Sequence, residues 1–151
     1  MYDIITNKAL MIPVAVWAIT QILKVVIVLI RDKRLDLWLL VRSGGMPSSH
    51  AALVGALATV VAVVQGLNSV AFAITAILAM IVMYDAANVR QAVGRQSVLL
   101  NRIVRELREK RPRDEVERDL KEFIGHTSFQ VIIGSLLGIL IAWLWLVIGG
   151  V

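Results

Sequence analysis

Residues 51–84 read AALVGALATVVAVVQGLNSVAFAITAILAMIVMY, 34 positions without a charged side chain. One straight helix over that stretch would be about 51 Å long at about 1.5 Å per residue, far beyond a hydrocarbon layer of about 30 Å. The run Gln65-Gly66-Leu67-Asn68-Ser69 is rich in turn formers and falls at its middle. The stretch therefore predicts two short antiparallel helices, near 49–66 and 69–90. Each apolar half is only about 15 residues, so a thinned bilayer or a partly re-entrant hairpin is the alternative to two full spans.

Working outward, Ala9–Ile30 is apolar except for Lys24 and is long enough to cross, with Pro13 in its first turns where a missing N–H is tolerated. Arg31-Asp32-Lys33-Arg34 ends it. Leu35–Val41 is apolar but too short to cross, which suits an interfacial segment with Trp38 at headgroup level. Thr127–Val151 carries no charge and reads as the last span, with Trp143 and Trp145 at the far interface and Gly134 and Gly138 spaced for close helix packing. Between them, Asp85–His126 is polar. Its apolar residues recur at helical spacing over Leu99–Leu107 and again over Val116–Ile124, on either side of Pro112, which predicts two amphipathic helices packed on the bundle or on the membrane surface.

The fold class that results is all-α: a polytopic membrane helix bundle of about four transmembrane helices plus amphipathic interfacial helices. Residues 1–151 read as a single membrane domain, with a cytoplasmic helical loop at about 91–125. A hydrophobic content of 58% and a mean hydropathy of +0.78 exclude an ordinary soluble domain of 151 residues. The absence of cysteine excludes disulfides and thiol chemistry. All Lys and Arg except Lys8 and Lys24 fall in 31–49 and 85–127. The positive-inside rule makes those loops cytoplasmic, in a multi-pass protein of the cell membrane. No cleavable signal peptide or lipidation motif is expected.

This topology brings a particular set of residues to the cytoplasmic ends of the spans. Lys24 lies in the last turns of the first, Pro47-Ser48-Ser49-His50 opens the second, Asp85 and Arg90 close the third, and Gly125-His126-Thr127 opens the fourth. Both histidines of the chain land on one side, each at a helix N-terminus. Such termini offer unpaired N–H groups and the positive dipole end to an anion. Ser48, Ser49 and Thr127 are suited to capping, and Gly44-Gly45 lets backbone approach a ligand. Lys24 and Arg90 supply cations for phosphate oxygens. Two histidines suffice for covalent phosphoester hydrolysis, one attacking phosphorus and one exchanging protons with the leaving oxygen and with water. An unperturbed pKa near 6.5 suits both duties.

Gly44-Gly45-Met46-Pro47-Ser48-Ser49-His50-Ala51-Ala52, then Asp85-Ala86-Ala87-x-Val89-Arg90-x5-Gln96, then Gly125-His126-Thr127, resembles the divergent branch of the type 2 phosphatidic acid phosphatase superfamily, related to acid phosphatases and vanadium-dependent haloperoxidases. The resemblance covers nearly the whole chain. It implies that His50, after a Pro-Ser-Ser that replaces Pro-Ser-Gly, is the proton donor to the leaving group. It implies that His126, in His126-x3-Gln130-Val131-x-x-Gly134, is the nucleophile, with Gln130 where the family has an orienting aspartate. Asp85 is the candidate to serve in its stead. The family's Ser-Arg pair upstream of the nucleophile is missing, Leu120 standing at the arginine position, and Arg90 is the candidate replacement. Lys24-x6-Arg31-Asp32 echoes a Lys-x6-Arg-Pro motif without its proline; Gln21 lies one turn from Lys24, so both can face the site.

The expected catalytic residues are thus His126, His50 and Asp85, and the expected substrate-binding residues are Lys24, Arg90, Ser48, Ser49, Gly45, Gln96 and Gln130. No cofactor and no metal are expected. Two histidines and Asp85 could ligate zinc, but no dense ligand motif accompanies them. The implied activity is a metal-independent lipid phosphate phosphatase acting through a phosphohistidine, on a phospholipid such as phosphatidic acid or phosphatidylglycerophosphate or on an isoprenyl phosphate. The competing reading is a weakly active or inactive headgroup-binding or scaffold protein. Nucleic acid is not an expected partner; a homodimer is an open option, with Gly134–Gly138 as its contact.

Overall fold

The computed structural model describes residues 4, 6–40, 45–107 and 127–150; for residues 90, 91, 95, 102 and 104–107 it describes the backbone. The described elements are helical: α1 (Lys8–Asp32), a 3-10 turn (Leu37–Leu40), α2 (Ser49–Gln65), α3 (Val70–Tyr84), a π-helical turn (Asp85–Val89), α4 (Arg90–Leu107) and α5 (Ser128–Ile148). By length and composition, α1, α5 and the continuous helix running from α3 into α4 can cross a membrane, and α2 is a shorter apolar helix. The sequence-based expectation of about four apolar helices holds. The third does not stop near residue 90, however. The π turn admits one extra residue per turn without breaking the helix, so the rod runs on into the polar segment. The second predicted amphipathic helix, over Val116–Ile124, lies outside the described residues.

The shortest apolar helix is the hub. α2 packs against α1, α3 and α5, and buries Ser49, Ala51, Ala52, Val54, Gly55, Ala56, Val60 and Val61 against them. A 17-residue helix spans only about 26 Å, and its neighbours enclose most of it, leaving the last turn, with Val63 and Val64, exposed. Ser48 caps it, its hydroxyl accepting from the Ala51 N–H, and Gly66 in positive φ ends it. The bond of Gly66 C=O with Ser69 N–H tightens the turn to α3.

α5 meets α2 along Val131, Gly134, Gly138 and Ala142, a stripe at three- and four-residue spacing. A Cβ at Gly134 would collide with the Ser48 backbone, and one at Gly138 with the Ala52 carbonyl. Gly55, from the other side, would meet the Ser135 carbonyl at 3.0 Å. Helices in lipid gain nothing by hiding apolar surface from water, so association rests on such close packing. The glycine pair is therefore taken up by α2, in the close helix packing that its spacing allows. Ile12 and Val16 of α1 close the core against Ala52, Ala56, Val60, Ala142 and Leu146. α3 buries only Ala79 and turns Ile74, Ile77, Met80 and Ile81 outward. On α4, Leu99, Leu100 and Ile103 are also exposed, so the bundle does not cover its apolar residues.

Candidate functional site at one end of the bundle

Four chain segments converge where α1 ends and α2 and α5 begin. The Ser48 N–H donates across to the Gln130 C=O at 3.2 Å, joining the Pro-Ser-Ser-His turn directly to the first turn of α5. Only the missing side chain at Gly134 lets the two backbones come this close. The π turn closes a third side: Ala86 packs with Ala51, the residue after His50, and with Val131. π-helical turns recur at functional sites because they re-aim side chains without ending the helix.

α1 supplies the fourth side through Lys24, which is 1% exposed. Its Nζ donates to Gln21 Oε1 at 2.9 Å and to Ser49 Oγ at 3.0 Å. Both acceptors are neutral. A buried ammonium without a carboxylate partner is costly, and among the described residues no carboxylate pairs with it; the ion pair present, Arg31–Asp32, is loose and exposed. Below Lys24, Thr20 is fully buried and its hydroxyl is satisfied by the Val16 carbonyl one turn back. On the same side as Thr20 along the chain, Gln21 Nε2 donates to the Leu40 C=O at 3.1 Å, tying in the 3-10 turn. Trp38 on that turn is 78% exposed.

The divergent PAP2 family profile matches residues 5–141. The chain belongs to this family. It is also 38% identical over 148 residues to a Bacillus subtilis (strain 168) protein named "Uncharacterized membrane protein YuiD", a match covering 92% of this chain and 94% of the relative. No solved structure matches. This is a PAP2-like membrane protein.

Within this divergent PAP2 chain, the expected site residues fall into three groups. Lys24, Ser48, Ser49, His50, Asp85 and Gln130 belong to the converging segments. Ser48 and Ser49 are fully buried, and His50 and Asp85 are half-buried at the start of α2 and of the π turn. Gly45 opens the Pro-Ser-Ser-His turn at φ 79°, with open space around it, so backbone conformation and not crowding calls for glycine there. Gln96 is different: it is exposed on α4, two turns beyond the π turn. His126 and the Arg90 side chain lie outside the described residues; Thr127, the neighbour of His126 in sequence, is the N-cap of α5.

Gln130 has a definite structural occupation. Its Oε1 accepts from the Thr127 N–H at 3.1 Å while the Thr127 hydroxyl accepts from the Gln130 N–H at 3.3 Å. This reciprocal capping box was legible as Thr127-x-x-Gln130 ahead of an apolar run. Two contributors escaped the sequence reading. The Leu40 carbonyl lies 19 residues from Gln21, beyond any local pattern. Ala86 carries no chemistry, yet its small size lets the π turn approach α2 and α5. Among the described residues, no three metal-ligating side chains cluster.

Proposed function

We propose that this protein hydrolyses a phosphate monoester on a membrane lipid at the cytoplasmic interface. The observation that carries the reading is Lys24: a wholly buried ammonium, held by neutral acceptors, at the mouth of a helix whose second residue is His50. A dianionic phosphoryl group would supply the missing countercharge. Ser49 and the N–H groups at the start of α2 would add donors from the positive end of the helix dipole. His126 attacks phosphorus, the bond to the lipid oxygen breaks, and His50 gives that oxygen its proton. Water then attacks the phosphohistidine, His50 takes up its proton, and phosphate leaves. Asp85 is assigned to orient an imidazole, and Arg90 to the phosphate oxygens. Lipid tails exit between helices, since the substrate is a phospholipid or an isoprenyl phosphate.

The test is phosphate release from a panel of such lipids by protein in lipid nanodiscs. His126→Ala abolishes release, and His50→Ala lowers it by roughly 10²–10⁴-fold, both with unchanged amounts of folded protein. Release that survives His126→Ala removes the nucleophile assignment.

One observation favours a second reading. The position where the superfamily keeps an orienting carboxylate holds Gln130, whose Oε1 caps α5. An amide cannot stabilise an imidazolium by charge. A headgroup-binding or scaffold protein would bind anionic lipid, release no phosphate, and bind equally well as His126→Ala.

A further inference from the structure

Gln21 stands outside the residues assigned to chemistry, yet it is 7% exposed and makes two hydrogen bonds of opposite sense. Its Nε2 faces a carbonyl, which can only accept; its Oε1 faces an ammonium, which can only donate. The amide is thus fixed in one orientation by partners that admit no other. The same turn of α1 reaches two elements: Gln21 holds Leu40 of the 3-10 turn, and Lys24 holds Ser49 at the start of α2.

We infer that Gln21 is a positioning residue that aims the Lys24 ammonium and ties the 3-10 turn to α1 while leaving the lysine charge uncompensated for an incoming phosphate. The inference rests on the anion-binding half of the function proposed above. An acceptor is needed next to Lys24, because an ammonium buried with fewer partners is costlier still. A carboxylate would be the stronger acceptor, but it would cancel the charge that draws the ligand. It would also set an oxygen against the Leu40 oxygen, where the amide now donates. Gln serves both partners, keeps the site cationic, and matches Glu in shape, so the distinction is one of charge and hydrogen-bond sense alone.

The experiment compares wild type, Gln21→Glu and Gln21→Met in nanodiscs, reading inorganic phosphate affinity by titration and thermal unfolding on the same samples. Gln21→Glu weakens phosphate binding by about tenfold or more and melts no lower than Gln21→Met. Gln21→Met keeps the free charge, weakens binding less, and melts below wild type. A merely structural role would make Gln21→Glu the milder change in both measurements, so opposite rankings support the inference. Gln21→Glu binding phosphate within about twofold of wild type, or wild type binding none, overturns it. Lipid phosphate release is followed in parallel: phosphate bound but never released sinks the hydrolytic reading and leaves the role of Gln21 standing.

Discussion

Lys24 illustrates how a single side chain can cost stability and serve a site. Its ammonium is out of water and, among the described residues, is partnered by Gln21 and Ser49. Replacing such a charge by an apolar side chain of similar length is often neutral or stabilising, whereas each lost charge-assisted hydrogen bond to a ligand is worth about 1.5–3 kcal/mol. Lys24→Met is therefore expected to keep or raise the unfolding temperature and to lower phosphate release by roughly 10–100-fold. Lower stability with unchanged release would assign the lysine to the fold alone. The pairing with Gln21 was legible, since residues three apart share a helix face. What the sequence could not tell was the depth: the same lysine, a little closer to the membrane surface, would extend its chain to the headgroups.

The elements show where reading from sequence stops. The break at 65–69, the capping of α2 and α5, and the apolar lengths followed from local chemistry, and α1, α2 and α5 begin and end close to where those signals lie, whereas α3 runs on into α4. The hub role of α2 did not, because hydropathy reports how apolar a segment is and not which neighbours surround it. Nor did the crossing partner of α5, since a small-xxx-small pair fits any close helix face. Gly138 carries that crossing: a Cβ there meets the Ala52 carbonyl. Gly138→Leu is expected to force α5 off α2 and cost about 1–3 kcal/mol or more, read as a lower unfolding temperature. Leu136→Ala, on the exposed side of the same helix, serves as the comparison. Equal effects of the two would mean that the seam is not where the bundle gains its stability.

For the whole molecule, the arrangement has a sidedness. The cluster, the basic run Arg31–Arg34 and the start of α4 share one end, while the Gly66–Ser69 turn and Gly149 lie at the other. The charge distribution proposes the first end as cytoplasmic. The chain has no cysteine, so single introduced cysteines report without background. In sealed inverted vesicles, Lys33→Cys is expected to react with an impermeant maleimide and Leu67→Cys only after the membrane is opened; the reverse pattern would put the cluster on the other side. Part of this convergence was legible once four apolar helices were placed, because two successive antiparallel helices return the start of α5 to the end where α2 begins. The contacts that knit the end together, such as Ser48 to Gln130, join residues too distant in sequence to be read.

That backbone bond has a consequence for how damage would travel. The turn carrying His50 and the turn following His126 are clasped main chain to main chain, at a clearance set by an absent side chain at Gly134. A bulkier residue anywhere along the seam acts as a wedge and alters the separation of the two turns. A screen for lost function would therefore collect substitutions deep among the rods as readily as at the histidines, and the inventory of inactive variants would trace the glycine groove.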